Sequence, residues 1–216
     1  WVPGGVLAAV GVPALVEPLV DRALDGGAAP LATWPAWQAA YPDPDRRHRI
    51  EHCGFSTAAQ HERMVKAGIY PCPQQVFIHD FGDAYVKVLG PERALPSYPF
   101  RTWFDLGLKP ATGSDAPVCD PNPFPNFHTM LTRETWKGTV MDAAQRVSIE
   151  EALQAYTEFG AFSQKQENVK GRLAPGFLAD VAVFSRDLLS AAPADILKDT
   201  RCDLTILGGE VVFERS

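Results

Sequence analysis

Between residues 47 and 115 of the 216-residue chain, some stretches have the pattern of apolar and polar residues typical of a helix, and others have the pattern typical of a strand. A helix is predicted to start at Ser56 as its N-cap and to end at Gly68, and a second is predicted over residues 98–106, closed by Gly107. Short apolar runs with polar C-terminal ends predict strands over residues 47–52, 68–75 and 108–115. Strands that alternate with helices predict βα units of a parallel sheet, whose chemistry lies at the carboxyl ends of the strands.

The last third of the chain has a different pattern. Ser148-Ile-Glu-Glu151 forms a capping box and predicts a helix that continues to about Ser163. Beyond Gly171 the pattern favours strands, and Gly208-Gly209 predicts the turn of a β-hairpin. The predicted strands cover residues 178–184, 203–207 and 210–213. We expect a small β unit beside the parallel part.

Residues 1–44 carry no recognisable chemistry and are left unassigned. Residues 14–24 have apolar positions at helical spacing, which Gly26-Gly27 would stop, and residues 31–45 predict a loop. The chain begins with Trp1 and its first methionine is Met64, so we expect a C-terminal portion whose first segment is either native or translated out of frame. The expected division is 1–44 unassigned, 45–165 partial barrel and 166–216 β-sandwich tail.

Composition narrows the function classes. Hydrophobic residues make up 46% of the chain, enough for a sizeable core, and the net charge of -6 argues against a nucleic-acid partner. No apolar run reaches the ~20 residues that a membrane helix needs, so we expect no membrane partner. The expected location is the cytoplasm. The four cysteines form no CxxC pair and are expected to be reduced thiols.

His52 and Asp115 are the strongest chemical candidates. Each ends a predicted strand, where an imidazole can ligate a metal and a carboxylate can bind metal and accept a proton. A histidine satisfied by the backbone and a turn aspartate are the ordinary alternatives for the two positions. Two consecutive βα units would bring both side chains to the same edge, which favours a hydrolytic metal site.

The other candidates are weaker. Gln74 could orient a substrate or make a structural hydrogen bond, and Gln75 shares both possibilities. His79 is placed in a loop after the second strand, where it could approach a substrate. Cys53 has no neighbour that would lower its thiol pKa, which argues against a nucleophile. His48, His61 and His128 are assigned to a solvated strand start, an exposed helix face and a structural role.

Three motifs in a fixed order carry a family resemblance: Arg47-His-Arg-Ile-Glu-His52, Ala111-Thr-Gly-Ser-Asp-Ala-Pro117, and the tail from Gly171 to Phe184, with Ser148 to Thr157 between the last two. The chain from residue 45 to 213 resembles the amidohydrolase superfamily, in the amidohydrolase 3 branch that includes N-substituted formamide deformylase. The resemblance implies the C-terminal part of a TIM-like (β/α)8 barrel plus a small β-sandwich segment.

The same resemblance implies one or two divalent metals, usually zinc, that activate water against a carbon–nitrogen bond of an amide or formamide-like small molecule. His52 matches a metal ligand, and Asp115 matches the aspartate that binds metal and acts as general base. The family's His-x-His pair is missing, so we expect the isolated chain to be inactive unless a second copy or a complementing chain completes it. The alternatives are a non-catalytic remnant or interaction module with this fold, and a deaminase of the same superfamily.

Overall fold

Two sheets of different kinds organise the chain in the computed structural model, which describes residues 6–7, 43 and 45–216. Within these residues, the first sheet has three parallel strands in chain order, β1 (Val6–Leu7), β2 (His48–Glu51) and β3 (Ile69–Cys72). The second sheet has three antiparallel strands, β4 (Val181–Phe184), β5 (Cys202–Leu207) and β6 (Glu210–Glu214). The mixed α/β class is confirmed, and the closed barrel stays an expectation.

Helices connect and cover the strands. In chain order they are α1 (Ala58–Ala67), α2 (Val76–Leu89), α3 (Pro91–Ala94), α4 (Phe100–Asp105), α5 (Phe124–Thr132), α6 (Ile149–Tyr156), α7 (Glu158–Ser163) and α8 (Pro193–Asp199), with a 3-10 turn at Ala143–Gln145. Strand β1 lies in the segment that the sequence left unassigned, and it pairs with β2. The helix predicted over residues 14–24 lies outside the described residues.

Helix α1 begins one residue later than predicted. Thr57, not Ser56, is the N-cap: its hydroxyl accepts from the Gln60 amide, and the Gln60 side chain accepts from the Thr57 amide. The Ser56 hydroxyl instead donates to the Cys53 carbonyl. Gly68 ends the helix in the left-handed region at φ 61°, as its sequence position predicts.

The strand predicted over residues 108–115 is absent from the described structure. Pro71 and Pro73 on one side and Pro110 on the other have no amide to donate, so a regular ladder cannot form. The segment still lies against the end of β3, because the Thr112 hydroxyl donates to the Pro73 carbonyl at 2.9 Å. The backbone amide of Thr112 is used elsewhere, by the carbonyl of Ala155.

The helix predicted from Ser148 to Ser163 is two helices, α6 and α7. The capping box of Ser148 and Glu151 is confirmed. The break falls at Thr157, whose φ of −116° and ψ of −81° are not helical and whose hydroxyl donates to the Leu153 carbonyl. Such a bond to the carbonyl four residues earlier competes with regular helix geometry and bends the chain.

Arg133 organises the core of the parallel part. It is completely buried among fully enclosed side chains such as Trp103, and its guanidinium donates to the backbone carbonyls of Met141, Tyr98 and Ser97 at 2.6–2.8 Å. Burial lowers the pKa of Arg133 to about 9, so the group still carries its charge near neutral pH. Arg133 follows the last residue of α5, so these hydrogen bonds join the end of that helix to the segment that follows α3.

The β-hairpin of the tail forms as predicted, with β5 and β6 joined at Gly208-Gly209. The sheet is a single layer in the described part of the chain, so the predicted sandwich is not tested. Its side chains are mostly open to solvent, and β6 is exposed along its whole length. Among the described residues, the structure contains no helix that is both long and apolar enough for a membrane span.

Candidate active site

His52 stands directly after strand β2 with an unusual backbone. Its φ is 64°, and the Cys53 amide donates to the Glu51 carbonyl at 2.9 Å, which makes His52 the centre of a three-residue turn. A turn of this hand is rare and strained for a non-glycine residue. The His52 amide nevertheless donates to the Cys72 carbonyl at 3.1 Å, so the pairing with β3 holds the turn in place.

Asp115 has the same kind of backbone at the other side of the site. Its φ is 57°, and the Val118 amide donates to its carbonyl at 2.8 Å across a turn that contains a cis Ala116–Pro117 bond. The side chain of Asp115 is 39 % exposed, so its carboxylate is accessible to a small molecule. Two predicted site residues in left-handed conformations fit the tendency of strained residues to collect at functional sites.

The two side chains meet. His52 Nε2 lies 3.9 Å from Asp115 Oδ2, which is too long for a hydrogen bond. Two ligand atoms at about 2.1 Å from one zinc ion lie about 3.4 Å apart at a tetrahedral angle and at most about 4.2 Å apart, so the observed separation is within reach of a shared ion after a small side-chain movement. The structure therefore brings together the pair that the sequence singled out.

The other ring nitrogen of His52 lacks, among the described residues, the outer contact that metal-binding histidines usually have. The Nδ1 atom is buried and has no hydrogen-bond partner among the described residues, and the ring packs at 5.6 Å from that of Phe77. Metal-bound histidines usually hold their second nitrogen with an outer acceptor. The described residues contain no group of three or more histidine, cysteine, aspartate or glutamate side chains that could hold a metal. His52 and Asp115 are thus a pair without a third such neighbour in this part of the chain.

Two buried amides follow strand β3. Gln74 donates to the Cys72 carbonyl, while its Oε1 has no partner in the described part of the chain. Gln75 is 0 % exposed, and both atoms of its amide group lack partners there. An unsatisfied buried amide costs about 1–3 kcal/mol, so Gln75 is a stronger candidate for a polar contact than Gln74.

The predicted position of His79 was wrong. It lies in helix α2, not in a loop, because Val76, Phe77 and Ile78 form a buried helical start that resembles a strand in sequence. His79 is itself buried. Its Nδ1 lies 2.6 Å from Asp80, and its ring lies edge-on to those of Trp136 and His128. In the described residues no hydrogen bond, ion pair or ring contact joins His79 to His52 or Asp115.

Asp80 is a nearby acid that the sequence did not single out. Its carboxylate contacts His79 and also the buried thiol of Cys119, whose pKa is raised to about 12 by burial and then by Asp80. The negative charge of Asp115 contributes to the same rise. Asp80 and Asp115 therefore both act on the Cys119 thiol. The sequence did not reveal this, because it did not predict helix α2, which positions Asp80.

Three further histidine assignments can now be checked. His61 was expected to be exposed and is buried, with burial lowering its pKa. His48 is half-buried instead of solvated, and burial with the nearby Arg46 charge lowers its pKa to about 4. His128 has the structural contacts that were expected: Nδ1 lies 3.1 Å from the Pro193 carbonyl and Nε2 lies 3.3 Å from Glu134.

The cysteines do not supply a nucleophile. All four are free thiols, as predicted. Burial raises the pKa of Cys53 to about 12, so the thiolate is not populated near neutral pH. Cys53, the residue that follows His52, is therefore not a candidate nucleophile.

Comparisons with known proteins show what the chain is similar to. The sequence model described as "Amidohydrolase family" matches residues 6–213, which extends upstream of the motifs identified in the sequence. The protein LONG AFTER FAR-RED 3 of Arabidopsis thaliana is 31% identical over 178 residues, covering 81% of this chain and 30% of that protein. The N-substituted formamide deformylase of Arthrobacter pascens is 25% identical over 169 residues, covering 78% and 31%.

A solved structure is similar as well. It is an uncharacterized metal-dependent hydrolase from Pyrococcus furiosus, with a TM-score of 0.57 and 28% identity, and the match covers 74% of this chain and 30% of that one. The chain thus spans about a third of the length of the curated relatives it matches. The likeness supports a barrel-type fold for the parallel part.

Proposed function

The chain belongs to the amidohydrolase family, and we propose that it supplies part of the active site of a metal-dependent hydrolase. The proposed reaction is hydrolysis of carbon–nitrogen bonds other than peptide bonds. Amide or formamide-like small molecules are the proposed substrates, in keeping with the relative from Arthrobacter pascens that is named for deformylation of N-substituted formamides.

The approach of His52 Nε2 and Asp115 Oδ2 to 3.9 Å carries the proposal. These atoms would hold a divalent metal, and we propose zinc, because an imidazole nitrogen and a carboxylate oxygen are both zinc ligands. One or two ions are proposed for the complete site. When bound, the metal supplies Lewis acidity toward the amide carbonyl and makes water more acidic.

Asp115 has two proposed tasks. Its partly exposed carboxylate would help to hold the metal and would accept a proton from the attacking water. It then delivers this proton to the nitrogen that leaves, which an amine needs in order to depart. His52 has only a ligand role, and the packing of its ring against Phe77 limits the rotation of the imidazole.

Three further polar side chains are proposed to orient the substrate. Gln74 has a carbonyl oxygen without a partner in the described structure, and this oxygen suits the N–H group of an amide. His79 is proposed as a second contact through Nε2, since Asp80 holds its Nδ1. Gln75 is proposed as a third substrate contact, because both polar atoms of its amide lack partners in the described structure.

The remaining metal ligands are proposed to come from outside residues 45–216, within which His52 and Asp115 have no third metal-ligating neighbour. A second copy of the chain or a complementing chain could supply them. On this basis the chain alone is proposed to bind zinc weakly and to be inactive. The proposed location is the cytoplasm.

The experiment combines equilibrium dialysis against zinc with an assay of amine release from N-benzylformamide. We expect the chain to bind zinc. The zinc affinity should fall at least about tenfold in Asp115→Asn and in His52→Gln, because each substitution removes one of two ligands. Asp120→Asn, an exposed aspartate in the loop after Asp115, is the matched control and should bind zinc as the original chain does.

Each outcome bears on the proposal. If the chain turns over the substrate and Asp115→Asn abolishes this turnover, the hydrolase proposal is supported and the expected inactivity of the chain is wrong. Zinc binding without turnover would support a partial ligand set. Absence of both zinc binding and turnover, or turnover that survives Asp115→Asn, would contradict the roles given to this pair.

A further inference from the structure

Asn126 is a buried amide that connects three separate parts of the fold. It lies in helix α5 and is 0 % exposed. Its Oδ1 accepts from the backbone amide of Val76 at 2.6 Å, and its Nδ2 donates to the backbone carbonyl of Gly113 at 3.2 Å and to the Tyr156 hydroxyl. These partners belong to the start of α2, the segment before Asp115 and the end of α6. One side chain therefore joins elements that do not follow one another in the sequence.

The three bonds fix the orientation of the Asn126 amide. The Val76 backbone N–H can only donate and the Gly113 carbonyl can only accept, so a single orientation of the side-chain amide satisfies both. The two protons of Nδ2 are then used by Gly113 and Tyr156, and both polar atoms of the side chain have partners. A side chain of the same size with only acceptors, or with only carbon atoms, would leave the Gly113 carbonyl without this donor.

The bond to Gly113 lies close to Asp115. In the segment before Asp115, the Thr112 hydroxyl donates to the Pro73 carbonyl, and Gly113 is held by Asn126. The described structure contains no further hydrogen bond to the backbone between Gly113 and the carbonyl of Asp115. Gly113 is therefore the last hydrogen-bonded residue before the candidate carboxylate, and Asn126 determines where its carbonyl lies.

The bond to Val76 concerns the other member of the pair. Val76 is the first residue of α2, and the N-cap residue Gln75 makes no side-chain bond to the helix start. The Oδ1 of Asn126 takes over this task, because it accepts from a backbone amide that has no acceptor within the helix. The next residue, Phe77, packs its ring at 5.6 Å from the ring of His52. Asn126 thus holds the helix start against which the imidazole packs.

We propose that Asn126 is a positioning residue that sets the separation of His52 and Asp115. The inference rests on the proposed function, because its chemical consequence is the joint binding of a metal ion by this pair. In the described structure, Asn126 makes no hydrogen bond to either side chain. It acts by joining the Gly113 carbonyl to the start of α2, which keeps His52 Nε2 and Asp115 Oδ2 at 3.9 Å.

The test is zinc binding by the full chain, measured by equilibrium dialysis. Asn126→Asp keeps the size of the side chain and the acceptor for Val76, but an ionised carboxylate has no proton to donate to Gly113. Zinc affinity should fall about tenfold, as it does when a group that orients a metal ligand is removed. The added negative charge would by itself strengthen zinc binding, so the direction of the change separates positioning from charge.

Tyr156→Phe is the matched control. It removes the hydroxyl partner of the same amide and leaves the bonds to Val76 and Gly113 in place, so zinc affinity should change by less than about twofold. Asn126→Leu removes all three bonds and should bind zinc at least as weakly as Asn126→Asp. Urea unfolding of the three variants is measured beside zinc affinity. A purely structural role would make zinc affinity follow stability in all three.

A second readout needs no metal. In the zinc-free chain, the carboxyl ¹³C and backbone amide resonances of Asp115 should move in Asn126→Asp and Asn126→Leu and stay in place in Tyr156→Phe. In the original chain, added zinc should shift the side-chain amide resonances of Asn126 together with the imidazole resonances of His52. The measurement on the original chain decides the question even where an Asn126 variant does not fold.

The outcomes separate this proposal from the proposed function. If Asp115→Asn leaves zinc binding unchanged, the metal role of the pair fails, and the zinc-free resonances of Asp115 still decide for or against the link from Asn126. If Asp115→Asn weakens zinc binding while the Asn126 variants match Tyr156→Phe in zinc affinity and in Asp115 resonances, the positioning role is overturned and the hydrolase proposal stands. Tighter zinc binding in Asn126→Asp would overturn the positioning role as well.

Discussion

The parallel part, residues 45–165, and the tail sheet, β4 to β6, keep their shapes in different ways. The parallel part encloses polar groups completely, among them Gln75 and Arg133. The tail sheet is held by ladders between strands that are close in sequence, and its side chains, such as Phe213 at 49 % exposed, remain open to solvent. The residues with left-handed backbones and the buried amides without partners lie where contacts between residues far apart in the sequence enclose them. The candidate chemistry therefore lies in the parallel part.

The largest expected effect comes from a matched pair of phenylalanines. Phe100 is 0 % exposed in the core, whereas Phe213 lies on an open face of the tail sheet. Phe100→Ala should cost about 3–5 kcal/mol of unfolding free energy, because it leaves a cavity among close-packed side chains. Phe213→Ala should cost less than about 1.5 kcal/mol. Urea unfolding measures both, and equal losses would remove the distinction between the two regions.

Arg133 gives the next largest effect. Arg133→Met should cost about 2–4 kcal/mol, because the carbonyls of Met141, Tyr98 and Ser97 lose their donor inside the core. Arg133→Lys keeps the charge but cannot reach three carbonyls at once, so we expect a similar loss. Arg172→Met, on the exposed surface, is the control. Full rescue by lysine would show that charge, and not the carbonyl network, matters.

A smaller effect is expected from acid. The pKa of His48 is lowered to about 4 and that of His61 is also lowered, whereas histidines of the unfolded chain titrate near about 6.5. Below pH 6.5 the unfolded chain binds more protons than the folded chain, so the free energy of unfolding falls as pH falls toward 5. Carboxylates stay mostly ionised in this range.

The double variant His48→Gln/His61→Gln should flatten this pH dependence. The tail sheet contains no histidine, and Phe213→Ala should keep the original slope. Urea unfolding at half-unit steps between pH 7 and pH 5 provides the measurement. An unchanged slope in the double variant would mean that these two imidazoles are not buried in neutral form.

The two regions also differed in how well the sequence predicted them. The tail hairpin and the Ser148 capping box depend on neighbouring residues, so Gly208-Gly209 and the Ser-x-x-Glu pattern were sufficient. Helix α2 was missed because its start is buried on several sides and resembles an apolar strand. The 108–115 strand was predicted from its composition, but the prolines opposite it and within it remove the donors of a ladder.

The candidate site was predictable in identity but not in geometry. His52 and Asp115 both end apolar runs, and that position marked them. Their left-handed backbones and their approach to one another depend on contacts with β3 and the following turns, which no local pattern contains. His61 was misjudged for a similar reason, since Trp103 of helix α4 packs edge-on against its ring.

The central claim is that His52 and Asp115 bind one metal ion together. The most direct measurement is a zinc titration of the chain followed by the imidazole ¹⁵N resonances of its five histidines. The account predicts saturable changes at His52 at the lowest zinc concentrations, small changes at His61 and His128, and at least about tenfold weaker binding in Asp115→Asn. Equal changes at all five histidines, or an unchanged His52 response in Asp115→Asn, would contradict it.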